Sequence, residues 1–174
     1  MQPPSWMLMI PVAVISTSAY ATTYLSVEQA QAAIFPGATL TKAFFTLTPE
    51  QKSAIEKKSG VNVLKKDVQL WKTPDGAYFI VDEVVGKHEF FTIAVGLNTD
   101  GSVKQIEILD YRETYGYEVR NEPWRQQFVG KTSAAHLKLT DDIKNISGAT
   151  LSCKHVTDAV KRLLVTYDTA LKSS

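Results

Sequence analysis

Ser147-Gly148-Ala149-Thr150-Leu151-Ser152 sets three hydroxyls around a glycine and an alanine. A long amphipathic pattern follows at once and predicts a C-terminal helix from about Ser152 to Leu171. The first N–H groups of a helix have no partner inside it, and the dipole there is positive. A phosphate is well held at such a place. Gly148 lets the backbone approach a ligand closely, and Ala149 adds little bulk. Thr150 and Ser152 put hydroxyls beside the free donors of the helix. The chemistry that fits is a phosphate-bearing ligand fixed at Thr150, with charge-assisted hydrogen bonds from the helix start.

Other chemistries find less support. Cys153 is the single cysteine, so no internal disulfide forms, and its place on the helix reads as packing. His88, His136 and His155 lack metal-ligand spacing, and no metal site is expected. Neither a Gly-x-Ser-x-Gly elbow nor a Gly-x-Gly-x-x-Gly loop occurs. Nineteen Lys and Arg against 18 Asp and Glu give a net charge of +1, which argues against nucleic acid as a partner. The basic doublets Lys57-Lys58 and Lys65-Lys66 read as solvated faces.

The segments that must position the hydroxyls are legible in outline. Ser26 to Phe35 reads as a helix with a Ser26/Gln29 capping box, stopped by Pro36-Gly37. Thr39 to Leu47 suits a strand. Thr48-Pro49-Glu50-Gln51 starts a second helix, which runs to about Lys58 and ends at Gly60. Four strands follow: Val68–Lys72, Ala77–Val85, Glu89–Leu97 and Ser102–Asp110. The turns between them are Thr73-Pro74-Asp75-Gly76, Gly86-Lys87 and Asn98-Thr99-Asp100-Gly101. Turns this short predict an antiparallel meander. Tyr111 to Gly116 is expected to be a loop leaving the sheet, and Asn121-Glu122-Pro123-Trp124 a helix start that ends near Gly130. Trp124 and Phe128, one turn apart, read as core contacts. On the last helix Val156, Ala159, Val160, Leu163, Leu164 and Tyr167 make an apolar face. The fold class is α+β. A single domain is expected, with a mainly antiparallel sheet flanked by helices and a long C-terminal helix.

The segment Ser147, Gly148, Ala149, Thr150 and Ser152 resembles the attachment motif of the FMN-binding domain family, position by position. That family includes the flavin-carrying subunits of the sodium-pumping NADH:quinone oxidoreductase and of the Rnf-type complex. Glu113-Thr114-Tyr115-Gly116-Tyr117-Glu118 is similar to the family's acidic-Thr-x-Gly segment. Trp124, Gln127, Phe128, Gly130 and Lys131 are similar to the short helix after it. One position departs: the family's Asp, three residues before Ser147, is Lys144 here, with Asp141 and Asp142 out of register.

The resemblance implies FMN as cofactor, joined through its phosphate to the Thr150 hydroxyl by a flavin transferase that takes FMN from FAD. It implies that Glu113 and Thr114 border the flavin ring and tune it, and Tyr115 and Tyr117 are aromatic residues on which the ring can stack. Thr150, Ser147, Gly148, Ala149, Ser152, Glu113, Thr114, Tyr115, Gly116 and Tyr117 are thus the candidate cofactor-binding residues.

Residues 1–21 carry no charged side chain. Their apolar run from Trp6 to Ile15 precedes Ala19-Tyr20-Ala21, which reads as a secretory signal peptide or an N-terminal anchor. Residues 22–174 then form the FMN-binding domain, with its core at about 67–167. The expected function is an exported, covalently flavinylated electron carrier, periplasmic or otherwise extracytoplasmic and open to membrane association. It is a redox carrier or subunit rather than a stand-alone enzyme. Its partners are the flavin transferase and a membrane or periplasmic redox protein. A second reading stays open: an extracytoplasmic binding or assembly module that holds FMN reversibly or not at all.

Overall fold

Capping boxes start the first two helices, and tight turns separate the four strands of the central meander. In the computed structural model, which describes residues 22–172, the chain runs β1 (Thr22–Thr23), α1 (Val27–Ile34), β2 (Thr41–Lys42), β3 (Phe45–Thr46) and α2 (Pro49–Ser59). It continues through β4 (Asp67–Lys72), β5 (Tyr78–Val85), β6 (Phe90–Leu97) and β7 (Val103–Tyr111). A 3₁₀ turn at Tyr117–Arg120, α3 (Glu122–Arg125), a second 3₁₀ turn at Gln126–Phe128 and α4 (Thr150–Thr166) complete it, with a π-turn over Tyr167–Leu171. Residues 1–21, which read from the sequence as a signal peptide or an N-terminal anchor, lie outside the described residues.

Both expected capping boxes are formed. Ser26 Oγ accepts from Gln29 N–H and Gln29 Oε1 from Ser26 N–H, and Thr48 and Gln51 repeat the arrangement. Gly60 closes α2 in the left-handed conformation, where a Cβ is costly.

β4 to β7 form the expected meander, and all pairings in the sheet are antiparallel. The order is β1-β7-β6-β5-β4-β2, with β3 also on β4. The single strand expected over 39–47 is two short ones. The ladder is interrupted at Ala43-Phe44 with its register unchanged, and there Phe44 packs edge-to-face with Trp71. β2 and β3 therefore cover the same edge of β4 in succession. Tyr111 ends β7 rather than opening the loop after it, because β1 pairs back onto it.

Each face of the sheet carries a core. On one, Ile80, Phe91, Ile93, Val95, Ile106 and Ile108 meet α4 through Val156, Val160, Leu163 and Leu164. Full burial of such side chains stabilises by roughly 1.5–3 kcal/mol each. On the other, Phe79, Ala94 and Leu109 meet α1 through Ala30 and Ile34. A side chain at Gly96 would lie 2.3 Å from Ile34 Cγ2, so this glycine lets α1 sit down on the sheet. The apolar face read from the sequence for the last helix is buried throughout. α4 begins two residues earlier than expected, which makes Thr150 its first residue.

Candidate functional site

The start of α4 meets the end of β7 and the turn between β5 and β6 around a cavity of about 430 Å³. That volume suits a small-molecule site. Its lining includes Gly148, Ala149, Thr150, Leu151 and Ser152 from the helix start, and Glu113 to Gly116 from the loop after β7. Lys87 and His88 come from the β5–β6 turn. This cavity brings together the two segments that carry the sequence motifs.

The helix start has its donors free. The first backbone bond of α4 runs from Cys153 N–H to Ala149 C=O, 2.9 Å. The N–H groups of Thr150, Leu151 and Ser152 therefore have no partner inside the helix. Ala149 is the N-cap, and no side chain caps the helix. Thr150 is exposed, and its hydroxyl accepts from Asn145 Nδ2 at 2.9 Å. Gly148 takes φ +86°, and a Cβ there would meet nothing within 4 Å, so space lies open beside the Thr150 backbone.

Ser152 behaves differently from Thr150. It is buried, and its Oγ lies 2.7 Å from Tyr111 Oη. The Tyr111 hydroxyl donates to the Tyr115 carbonyl at 2.8 Å, which leaves its oxygen to accept from Ser152. Burial and the loss of hydration push the Tyr111 phenol above its ordinary pKa, against the Ser152 hydrogen bond. Gly116 lies against this pair: a Cβ would fall 2.2 Å from Ser152 Oγ and 2.7 Å from Tyr111 Oη, at φ +91°. Only glycine lets the loop pass here.

Glu113 ties the turn between β5 and β6 to the loop after β7. Its Oε1 accepts from His88 N–H at 2.5 Å and Glu89 N–H at 3.1 Å. Partial burial works against the carboxylate, but the turn's backbone donors outweigh it and hold Glu113 below the usual carboxylate range. The charge thus fixes the turn that presents Lys87 and His88.

Behind the cavity the 144–149 segment is anchored. Trp124 Nε1 donates to Lys144 C=O at 2.7 Å, and Lys144 N–H donates to Gln127 Oε1 at 2.8 Å. Trp124 and Phe128 pack edge-to-face as core residues, 5.2 Å between centroids. Asp142, out of register with the family's acidic position, accepts from Leu137 and Lys138 N–H and from Lys131 Nζ. Desolvation opposes its charge, but those three donors bring its pKa down to about 2. Cys153 is buried behind the site, and burial raises its thiol pKa, so it is a packing residue.

Of the ten residues proposed from sequence, eight line the cavity: Glu113, Thr114, Tyr115, Gly116, Gly148, Ala149, Thr150 and Ser152. Ser147 is exposed and outside the lining, and Tyr117, 52% exposed, starts the 3₁₀ turn that leads away from it. Lys87, His88, Leu151 and Asn145 were not foreseen. Asn145 lay within the motif's own neighbourhood and could have been found as a hydrogen-bonding side chain. Nothing local marked Lys87 or His88, which arrive through the hairpin.

Comparison with known families gives residues 86–165 a match to the FMN-binding domain, and this part of the chain is an FMN-binding domain. A search among curated proteins finds no match. The matched stretch contains the whole cavity lining.

Proposed function

We propose that this protein is an exported electron carrier that holds FMN as a phosphoester on Thr150. The observation that carries the reading is the Thr150 hydroxyl, exposed on the cavity wall at the first residue of α4. The residues present suit the group. Three N–H groups without helical partners face the phosphate end, where the phosphodiester's single negative charge is stabilised. The open space at Gly148 admits it without a Cβ in the way. Lys87 and His88 add donors, and Tyr115, 80% exposed at the cavity, offers a ring to stack on.

Attachment balances as a phosphoryl transfer. Thr150 Oγ forms a bond to the phosphorus of the FMN half of FAD, the phosphoanhydride bond to the AMP half breaks, and AMP leaves. The hydroxyl proton passes to a base of the flavin transferase. Bound FMN supplies reversible electron transfer; the chain's residues hold it, limit its contact with water and set the charge around it. A tethered flavin is not lost by diffusion, which suits a compartment outside the cytoplasm. The charge-free segment 1–21 is the support for export, and a membrane or periplasmic redox protein is the partner this role requires.

Intact mass of protein produced with a flavin transferase tests the assignment. A gain of FMN less one water, abolished by Thr150→Ala, supports it; flavin that stays attached through denaturation in Thr150→Ala overturns it. Lys144, where the family pattern has Asp, favours a second reading in which FMN binds reversibly. A flavin that separates from the polypeptide on a denaturing gel would establish that reading instead.

A further inference from the structure

Asn145 is the one side chain with a hydrogen bond to the Thr150 hydroxyl among the described residues. Its backbone is held from both directions. The preceding residue, Lys144, is fixed through both its N–H and its C=O by Gln127 and Trp124. The following turn is closed by Ala149 N–H to Ile146 C=O at 3.0 Å, with Gly148 in the left-handed region. An exposed amide on a pinned backbone is a preorganised donor.

We infer that Asn145 is a positioning residue for the modification of Thr150. The inference rests on the attachment reading above. A threonine in a helix divides between two χ1 rotamers. The amide takes one lone pair of Oγ and holds one rotamer. The O–H and the other lone pair then face outward, where a phosphorus must approach. When the Oγ–P bond forms and AMP departs, Oγ becomes a poor acceptor. The same amide is then a neutral donor beside the new phosphodiester anion, in company with the helix N–H groups. An Asp in its place reverses the logic: the carboxylate accepts from the hydroxyl and sets a negative charge before an incoming pyrophosphate.

The test is a time course of intact mass for full-length wild type, Asn145→Ala, Asn145→Asp and Asn145→Gln, each with a flavin transferase and FAD. Loss of one neutral hydrogen bond predicts modification about 3- to 10-fold slower for Asn145→Ala. Asn145→Asp is expected to be slower again, by more than about tenfold from wild type. Asn145→Gln, which keeps the donor, recovers part of the rate. Melting temperatures of the unmodified variants stay at the wild-type value, because the side chain is exposed; a fall matching the rate loss would make the role structural and overturn the inference. Asn145→Ala at the wild-type rate, or Asn145→Asp at or above it, also overturns it. A wild type that never gains mass overturns the attachment reading itself, and the inference with it.

Discussion

Tyr111 Oη and Ser152 Oγ lie 2.7 Å apart across 41 positions of sequence. The bond joins the last residue of β7 to the third residue of α4. It therefore fixes the helix start, with its free donors, relative to the loop that carries Glu113 to Gly116. The cavity between them keeps its width because this pair does.

Tyr111→Phe should leave the buried Ser152 hydroxyl without its partner and the Tyr115 carbonyl without its donor. A loss of about 1–3 kcal/mol in folding stability is expected, read from urea denaturation. Ser152→Ala should cost less, since it removes the hydroxyl rather than stranding it. The double variant should fall short of the two single losses added together by about 1 kcal/mol. Strict additivity would mean that the two hydroxyls do not act as a pair.

Two glycines with similar backbone angles should respond differently to alanine. Gly116 has φ +91° and Gly148 has φ +86°, so both substitutions carry the left-handed penalty of roughly 1–2 kcal/mol. Gly116→Ala also drives a methyl into Ser152 Oγ and Tyr111 Oη, at 2.2 and 2.7 Å. It is expected to cost several kcal/mol in all and to abolish FMN retention. Gly148→Ala meets open space. It should lose only the strain energy, with weakened FMN retention if the ligand needs that space. Equal melting temperatures for the two variants would show that the close approach at Gly116 carries no energy.

Asp142 gives the fold a pH dependence of known sign. Its folded pKa is about 2 against an ordinary 3.8, so the unfolded chain binds the proton more tightly. The stabilisation is present above about pH 4 and is lost as the pH falls towards 2. The side chain is 24% exposed, which trims the value to ~1–2 kcal/mol. Asp142→Asn should be less stable than wild type by about that amount at pH 7, with the gap closing as the pH falls through about 2. A gap that stays constant with pH would place the effect in packing rather than charge.

Elements whose limits rest on local chemistry were legible in the sequence. The two capping boxes, Gly60, and the turns of the meander all specify their own geometry within a few residues. The helix face from Val156 to Tyr167 follows from its 3.6-residue period. What escaped depends on distant partners. The break at Ala43-Phe44 is set by Trp71, and the extension of β7 to Tyr111 by pairing with β1. The same holds for the site. Gly116 was visible as a loop glycine, but its reason, the Tyr111–Ser152 pair, exists only once the sheet and α4 have met. Lys87 and His88 reach the cavity because Glu113 takes hold of their turn.

The two tyrosines that flank Gly116 share a sequence neighbourhood and part in space. Tyr115, 80% exposed, lines the cavity, whereas Tyr117 lies outside the lining. A tyrosine ring stacked on a flavin quenches the flavin's fluorescence by donating an electron to its excited state. Tyr115→Leu should therefore raise the emission of the protein-held flavin several-fold, while Tyr117→Leu leaves it near the wild-type value. Both should gain the same mass on modification, because neither side chain touches Thr150. A rise in emission with Tyr117→Leu alone would mean that the ring lies on the other side of the 112–116 loop, against the 3₁₀ turn. The phosphate end at α4 would then be right and the ring end wrong.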